Sequence, residues 1–264
     1  MHAVQIGDVT IGPGHPLALI SGPCVVEPGP VMERTAAALA QLCGELGLPL
    51  VFKSSFEKDN RTEATAHRGP GLERGLAELA GLKARHGFPV LSDVHRCSQV
   101  EAAAQVLDVI QIPAFLCRQT SLLEAAGRSG AAVNIKKGQF MTVEATAGSV
   151  DKVRRAGGGA VLLTERGSSW GPGQLVCDMS HIPRLADLDC PVVMDAGHAA
   201  RRREDIATLA RCGVAAGADA IFLECHPEPA AAPCDGSRML SLEELRSLLV
   251  DLVRLGKATR GDGS

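Results

Sequence analysis

Residues 89–112 read PVLSDVHRCSQVEAAAQVLDVIQI and contain every part of the unit that repeats along this chain. Pro89-Val90-Leu91 is a short apolar run, and the mostly polar stretch Ser92-Asp93-Val94-His95 follows it. From 99 to 107 the apolar residues fall three and four positions apart, as on one face of an α-helix. The apolar run 109–112 closes the stretch. The whole stretch 89–112 therefore predicts a strand, a polar turn, a helix and a second, parallel strand.

The same alternation extends through the whole chain. Eight runs are almost continuously apolar, as strands are when both faces of a parallel sheet are covered, at residues 17–20, 49–52, 89–91, 109–112, 132–135, 160–163, 191–194 and 220–223. Helical periodicity is found between them, at residues 31–46, 71–86, 99–107, 121–126, 150–155 and 203–210, and again at 241–255. The connection 167–188 is loop-rich and only weakly helical.

Eight strand–helix repeats in a chain of this length predict an α/β protein with a (β/α)8 TIM barrel, a single domain over residues 1–264. A doubly wound open sheet is the alternative, although such sheets seldom contain so many evenly spaced strand–helix repeats. Two short alternating runs around Gly7-Asp8 predict an N-terminal β-hairpin within residues 1–15, which would plug one barrel end. Residues 257–264 are polar and are expected to be frayed.

The composition of the 264 residues argues against several classes of protein. A net charge of -3, 3% aromatic residues and no Tyr disfavour nucleic acid as a partner. No apolar run approaches the roughly 18 residues that span a bilayer, and residues 1–15 lack a secretory pattern, so we expect a cytoplasmic protein with no membrane partner. The nine cysteines form no Cys-x-x-Cys pair and are expected to be reduced, with one or two as ligands.

Four basic residues follow different predicted strands. Lys53 and Lys58 come after the second run, Lys136 after the fifth and Arg166 after the sixth. In a barrel these positions meet at one mouth. Converging cations repel one another and lose hydration, so their convergence predicts a small, multiply charged anion as ligand. The alternative for each residue is a solvated charge or a pair with a neighbouring acid.

A second set of residues has the donor chemistry of a metal site: Cys24, His198, Glu224 and Asp235. A thiol, an imidazole and two carboxylates suit Zn²⁺, Fe²⁺, Mn²⁺ or Co²⁺ better than Mg²⁺ or Ca²⁺. The spacing is not itself a motif, and Cys24 has the alternative of a packed core thiol. His95 and His226 are competing ligands.

Two loops add further candidates. Asn60-Arg61-Thr62 offers an amide, a guanidinium and a hydroxyl to phosphate and sugar hydroxyls, with a plain polar loop as the alternative. Phe115-Leu116 shortly precede Arg118, and exposed apolar side chains there would be explained by burial against a second subunit.

Ten stretches spread over most of the chain carry a family resemblance: 22–24 (GPC), 52–58 (FKSSFEK), 60–61 (NR), 68–73 (RGPGLE), 92–95 (SDVH), 110–120 (IQIPAFLCRQT), 134–140 (NIKKGQF), 163–167 (LTERG), 224–229 (ECHPEP) and 234–236 (CDG). In these stretches the chain resembles the 3-deoxy-D-manno-octulosonate 8-phosphate synthases. The resemblance implies a transferase that condenses phosphoenolpyruvate with arabinose 5-phosphate and water, giving 3-deoxy-D-manno-octulosonate 8-phosphate and phosphate for lipopolysaccharide biosynthesis.

The resemblance also implies roles for individual residues. The phosphoenolpyruvate ligands would be Lys53, Lys58, Lys136 and Arg166, and the aldose phosphate ligands Asn60, Arg61 and Thr62. Ser55, Gln111 and Gln139 lie in the matching stretches and join the substrate-binding set. Arg118 would reach into a neighbouring subunit's site within a homotetramer. Cys24 matches the metal-dependent form, in which Cys24, His198, Glu224 and Asp235 would hold the divalent metal. The catalytic candidates are Asp93, His95, His198 and Asp235, and of these Asp93, His95 and Asp235 are candidates for proton transfer.

Departures from the family pattern leave the aldose open. Asp195-Ala196-Gly197-His198 runs almost directly into the stretch 199–204, where the family has a long glycine-rich loop. Asp59 and Glu63 add two acids beside the expected sugar phosphate, and Trp170-Gly171-Pro172 stands where Phe-Gly-Tyr is common. Two alternatives follow. One is the same phosphoenolpyruvate chemistry on another aldose phosphate, and the other is a barrel that binds a phosphorylated ligand without turnover.

Overall fold

The computed structural model describes residues 2–260. Its strands are β1 (Val4–Ile6), β2 (Val9–Ile11), β3 (Ala18–Gly22), β4 (Leu50–Lys53), β5 (Val90–Asp93), β6 (Val109–Ile112), β7 (Ala132–Lys136), β8 (Val161–Glu165), β9 (Ser168–Ser169), β10 (Leu175–Val176), β11 (Val192–Asp195) and β12 (Ala220–Glu224). Its α-helices are α1 (Pro30–Leu46), α2 (Leu72–His86), α3 (Cys97–Ala104), α4 (Thr120–Arg128), α5 (Val143–Arg155), α6 (His181–Ala186), α7 (Ala196–Ala199), α8 (Ile206–Ala215) and α9 (Leu242–Arg260).

Eight of these strands close into a barrel in the order β11-β12-β3-β4-β5-β6-β7-β8, and all of the barrel pairs are parallel. The predicted TIM barrel is therefore confirmed, and each predicted run forms a strand within two residues of its expected ends. Most strands continue past their apolar run to end on a polar residue, such as Lys53, Asp93 or Glu224. Such residues extend the ladder while their side chains reach the barrel mouth.

The N-terminal hairpin is also confirmed. β1 and β2 pair antiparallel, with Val4 opposite Ile11 and Ile6 opposite Val9. These four side chains belong to one buried cluster with residues from the barrel interior, including Phe222. The hairpin thus covers the amino-terminal end of the barrel and leaves the other end for the site.

Several helices differ from their predicted bounds, and α5, α8 and α9 differ by five residues or more at one end; α8 runs over Ile206–Ala215 where residues 203–210 were expected. Helix α5 begins at Val143 instead of residue 150, because the Thr142 hydroxyl accepts a hydrogen bond from the Ala145 amide (3.1 Å) and caps a first turn that lacks a clear apolar period. Helix α9 continues to Arg260, so residues 257–260 are helical and not frayed. The Arg260 guanidinium donates to the carbonyls of His15 (3.2 Å) and Ala218, which fixes this last turn. Residues 261–264 lie outside the described residues.

The connections after β8 and β11 shape the rim. The loop-rich stretch after β8 forms the short β9–β10 hairpin and the short helix α6. After β11, helix α7 leads through a 3-10 turn, Arg203–Asp205, directly into α8, so the lid at this strand is short. None of the helices within residues 2–260 is long and apolar enough to cross a membrane.

Candidate active site

A cleft opens at the carboxyl ends of the barrel strands. Its volume is about 680 Å³, including space open to solvent. The side chains that line it are Lys58, Asn60, Arg61, Asp93, His95, Pro113, Ala114, Phe115, Lys136, Gln139, Arg166, His198 and Asp235. All four catalytic candidates line the cleft, together with six of the expected substrate ligands. The other substrate candidates lie beneath the cleft or outside it.

Lys136, the last residue of β7, reaches across the cleft to Asp195 at the end of β11. Its Nζ lies 2.7 Å from Asp195 Oδ2 and 4.0 Å from the centroid of the Phe222 ring. Burial works to raise the pKa of Asp195, but His198 and Lys136 outweigh it and hold that pKa well below its usual range. Asp195 therefore stays ionised and fixes the direction of two side chains that line the cleft.

Asp93, at the end of β5, gathers three donors. It accepts hydrogen bonds from Ser55 Oγ (2.6 Å), Lys58 Nζ (3.2 Å) and Gln111 Nε2 (2.7 Å). Burial alone would raise the pKa of Asp93, yet the neighbouring lysines, Lys58 foremost, keep it well below the usual value. Ser55 and Gln111 thus lie beneath the cleft wall, where they orient Asp93.

A buried chain of amides continues from this carboxylate. Asn134 Nδ2 donates to Gln111 Oε1 (2.9 Å), and Thr164 Oγ1 donates to Asn134 Oδ1 (2.7 Å). The chain ties β5 to β8 and satisfies polar groups that would otherwise be costly to bury. Asn134 and Thr164 were not predicted as site residues because they lie within or beside apolar runs. A polar residue inside an otherwise apolar strand is the sequence feature that could have identified Asn134.

Lys53 does not line the cleft. It is 1% exposed, and its Nζ donates to the Cys24 carbonyl (3.0 Å) and to Glu224 Oε1. Burial favours a raised pKa for Glu224, but Lys53 and His198 bring that pKa down to about 2. A side chain on Gly22, which has a φ of 154°, would collide with the Lys53 carbonyl, so this close approach of β3 and β4 needs glycine.

Several buried polar atoms at the cleft have no hydrogen-bond partner among the described residues. They are Arg166 Nη1, His95 Nδ1 and Gln139 Oε1. Burial, with the nearby charge of Arg238, lowers the pKa of Arg166. Because buried donors are normally paired, an Arg that lines a cleft with two lysines and has an unpartnered nitrogen fits an anionic ligand.

The four expected metal ligands fall into two groups that share Asp235. His198, Glu224 and Asp235 have donor atoms within 4.8 Å of one another, and so do Cys24, Cys234 and Asp235. Cys234 is the donor that the sequence analysis missed, although it directly precedes Asp235. Both groups mix soft or borderline donors with carboxylate oxygen, so they fit a divalent transition metal or zinc.

His198 is held by Asp195. Its Nδ1 lies 3.0 Å from Asp195 Oδ1 and 2.9 Å from Oδ2, so the ring hydrogen belongs on Nδ1. Nε2 is then the nitrogen with a free lone pair, and a carboxylate behind a ligating imidazole is a common support in metal sites. Asp195 was another omission of the sequence analysis.

The competing histidines have different surroundings. His226 Nδ1 accepts a hydrogen bond from the Glu228 amide (2.9 Å), which leaves the hydrogen on Nε2, 3.1 Å from Glu27 Oε1. His226 therefore lies in a buried pair and outside both groups of donors. His95 lines the cleft, and burial lowers its pKa, which favours the neutral ring.

The expected aldose phosphate ligands are divided. Asn60 and Arg61 line the cleft, and Arg61 Nη1 lies 3.4 Å from Asp235 Oδ1. Thr62 is exposed and is not part of the cleft wall. Asp59 does not face an unpaired cation of the cleft, since it pairs with Arg68 and with Arg96 Nη2 (2.7 Å).

Arg118 also lies outside the cleft of its own chain. It is exposed in the loop after β6, and its carbonyl accepts a hydrogen bond from Lys152 Nζ (3.1 Å). Phe115, in the same loop, lines the cleft and is 58% exposed. Arg118 is thus exposed and does not line the cleft beside which its loop lies.

Comparison with known proteins places the chain among enzymes. The DAHP synthetase I family matches residues 1–259. A 2-dehydro-3-deoxyphosphooctonate aldolase of Syntrophotalea carbinolica is 47% identical over 270 residues, covering 98% of both chains. Proteins of the same name from Desulfotalea psychrophila (44% identical, 95% of this chain and 94% of the relative) and Trichlorobacter lovleyi (46%, 97% and 98%) are also similar.

Proposed function

The chain belongs to the DAHP synthetase I family, and on that premise we propose that it condenses phosphoenolpyruvate with arabinose 5-phosphate and water. The products are 3-deoxy-D-manno-octulosonate 8-phosphate and phosphate. The protein is a transferase that forms a carbon–carbon bond. The observation that carries the proposal is the meeting of Lys58, Lys136 and Arg166 in one cleft, where Arg166 also has a buried nitrogen without a hydrogen-bond partner among the described residues.

These cations suit both charged groups of phosphoenolpyruvate. Lys58 and Lys136 are anchored by Asp93 and Asp195, so their ammonium groups are already oriented before an anion arrives. Arg166 has donors to spare and is proposed to bind the phosphate, with Gln139 beside it. Lys53 contributes from below by neutralising Glu224 and is not a direct ligand in this arrangement.

The reaction joins C3 of the enol to the aldehyde carbon while water adds at C2, and phosphate then leaves with cleavage of its C–O bond. Fixed cations meet the negative charge that grows on the departing phosphate. Asp93 is a poor proton donor because its pKa is held so low, and we assign it the orientation of Lys58. Neutral His95, with an unpartnered Nδ1, is the better candidate for moving a proton.

We propose that the enzyme is the metal-dependent form, with Cys24, His198, Glu224 and Asp235 as ligands. Their donor chemistry fits Zn²⁺, Fe²⁺, Mn²⁺ or Co²⁺. Such an ion supplies Lewis acidity, which polarises an aldehyde or makes a bound water more acidic. Lys53 lies against Glu224 and Arg61 against Asp235, and the two cations balance the charge of these carboxylates.

The aldose phosphate is proposed to lie toward Asn60 and Arg61. Asp59, which departs from the family pattern, is neutralised by Arg68 and Arg96 and so does not oppose a phosphate there. Arg118 and the exposed Phe115 support the proposal of a homotetramer in which Arg118 serves a neighbouring cleft. We also propose that the protein acts in the cytoplasm, in lipopolysaccharide biosynthesis.

Phosphate release from phosphoenolpyruvate tests these assignments. Purified protein is assayed with arabinose 5-phosphate and with a panel of other aldose phosphates, before and after chelation. We expect turnover with arabinose 5-phosphate, loss of activity on chelation and recovery with a divalent metal. Turnover only with another sugar would show that a different aldose phosphate is the substrate. No turnover with any sugar would support a barrel that binds a phosphorylated ligand without turnover. Full activity after thorough metal removal would refute the metal-dependent form.

A further inference from the structure

We infer that Lys137 and Glu165 are positioning residues for Arg166, the cleft arginine assigned above to the phosphate of phosphoenolpyruvate. The inference rests on that proposed function and adds two residues to it. Neither residue lines the cleft, and both side chains are 0% exposed. Lys137 Nζ lies 3.5 Å from Glu165 Oε2, so the two form a buried ion pair.

The Lys137 side chain leaves β7 on the side away from the cleft. Successive side chains of an extended chain point to opposite faces, and the preceding residue, Lys136, lines the cleft. Lys137 Nζ instead donates to Ser168 Oγ (3.1 Å), at the start of β9. Lys137 is therefore a buried cation that no step of the proposed reaction uses.

Both members of the pair hold Gly167, the residue that follows Arg166. Glu165 Oε1 accepts a hydrogen bond from the Gly167 amide (2.6 Å), and Lys137 Nζ donates to the Gly167 carbonyl (3.4 Å). Gly167 has a φ of 87°, which residues with a side chain rarely adopt. Arg166 thus lies at the apex of a turn whose two flanking residues are bonded to each other.

The direction of Arg166 depends on this turn because its side chain has no anchor of its own. Lys58 and Lys136 are each held by a carboxylate, at 3.2 and 2.7 Å respectively. Within residues 2–260, by contrast, the buried Nη1 of Arg166 has no hydrogen-bond partner, and Arg166 forms no ion pair. The backbone therefore decides how the guanidinium meets an anion, and the buried pair fixes that backbone.

Stability alone does not explain an ion pair at this place. Desolvation offsets most of the attraction between two buried charges, and apolar residues of similar volume are often at least as stable. Glu165 Oε2 also lies 3.2 Å from His181 Nδ1, at the start of α6. What the charges add over apolar side chains is a fixed acceptor for the Gly167 amide and a fixed donor for its carbonyl.

A double variant separates positioning from stability. Lys137→Met/Glu165→Leu removes both charges together and keeps similar volumes, so we expect it to fold with an unfolding temperature close to that of the wild type. Its Kd for phosphoenolpyruvate should rise about tenfold, because the guanidinium is no longer held in place. Titration calorimetry on the full chain supplied with divalent metal, without an aldose phosphate, measures this Kd. Lys83→Met, which removes the partner of Asp108 (2.7 Å) at the amino-terminal side of the barrel, is the control and should change it by less than about twofold.

An Arg166→Ala background shows whether the effect passes through Arg166. Lys137→Met should weaken phosphoenolpyruvate binding about tenfold in the wild-type background and less than about twofold once Arg166 is alanine. Equal losses in both backgrounds, or a Lys137→Met/Glu165→Leu protein that binds phosphoenolpyruvate like the wild type, would overturn the inference and leave the proposed function intact. Wild-type protein that binds no phosphoenolpyruvate would overturn the proposed function, and the inference with it.

Discussion

At the scale of single residues, the site depends on carboxylates that hold lysines in place. Asp93 and Asp195 are each buried, each accept from a lysine and each have a pKa held well below the usual range. Buried ion pairs of this kind add little net stability, because desolvation offsets the attraction. Their contribution is orientation: the ammonium groups of Lys58 and Lys136 are fixed where an anion will bind.

Replacing Asp93 by Asn should separate this role from that of a proton donor. Asn keeps the shape and can still accept from Ser55, but Lys58 loses its charged partner. We expect kcat/KM to fall roughly 100-fold, the effect of about 3 kcal/mol when one partner of a buried charge pair is lost. Steady-state kinetics with varied phosphoenolpyruvate measures it. Asp108→Asn, a matched change at the amino-terminal side of the barrel, should stay within about twofold of wild type.

The pH profile provides a second check on Asp93. A carboxylate with a depressed pKa in the folded protein remains ionised until the pH falls well below its ordinary value near 4. Its contribution to stability is thus present above the unfolded pKa and is lost only in strong acid. We expect no acid limb from Asp93 in kcat/KM between pH 5 and 8. A limb in this range that disappears in Asp93→Asn would contradict the assignment.

At the scale of elements, the loop after β4 is tied to the start of α3. Glu57 accepts from Arg68 (2.9 Å), Arg96 (3.1 Å) and Gln99 (2.8 Å), and Asp59 accepts from Arg68 and Arg96. Between these acids and Arg68 the loop presents Asn60-Arg61 to the cleft. The network therefore sets the position of the segment proposed to bind the aldose phosphate.

Asp59→Ala should loosen this loop. Each partly exposed ion pair contributes about 0.2–1 kcal/mol, so losing two pairs should raise KM for the aldose phosphate by roughly 2- to 30-fold. KM for phosphoenolpyruvate should change less, since Lys136 and Arg166 lie on other strands and Lys58 is held separately by Asp93. Glu63→Ala removes an exposed acid from the same loop and serves as the control. Equal effects of the two variants on both KM values would point to a general charge effect.

The last turn of α9 is an element whose role is stability. Arg260→Ala removes hydrogen bonds to the carbonyls of His15 and Ala218 at the amino-terminal side of the barrel. We expect the free energy of unfolding to fall by about 1–3 kcal/mol, measured by urea denaturation, with kcat unchanged. Arg254→Ala, an exposed position on the same helix, should change the free energy by less than about 0.5 kcal/mol. A loss of kcat in Arg260→Ala would link this end to catalysis.

At the scale of the whole molecule, the carboxyl ends of the strands hold the charge and the amino-terminal end is closed with apolar residues. The loop after β6 is the exception, since it exposes both Phe115 and Arg118, and Arg118 does not line the cleft of its own chain. A second copy of the chain, bound at this loop, would cover Phe115 and would offer its own cleft to Arg118.

Assembly can be tested by light scattering during size-exclusion chromatography. We expect a mass of four chains for the wild type and a smaller assembly for Phe115→Asp, because burying the new carboxylate at an interface is costly. Arg118→Ala should keep the assembly but raise KM for the aldose phosphate. A wild-type monomer with full activity would show that Arg118 serves no neighbour.

The sequence by itself determined the barrel, its hairpin and most of the wall of the cleft. Apolar runs of strand length at even spacing leave few alternatives, and the residues directly after parallel strands must share one edge. Lys58, Lys136, Arg166 and His198 could be placed this way because their order in the chain fixes their place around the barrel. The start of α5 and the end of α9 could not be predicted from the sequence. A capping hydrogen bond sets the first, and long-range hydrogen bonds of Arg260 set the second.

Only the tertiary structure decided which polar groups pair with which. Lys53 is buried against Glu224, Asp195 holds His198, and Cys234 meets Cys24 across 210 positions of sequence. The periodicity of the chain indicates which strand a residue belongs to and which end of the barrel it is near. Its hydrogen bonds depend in addition on how deep its side chain lies in the barrel and on its orientation relative to neighbouring strands. Distances of a few ångströms between distant residues exist only once the barrel has closed.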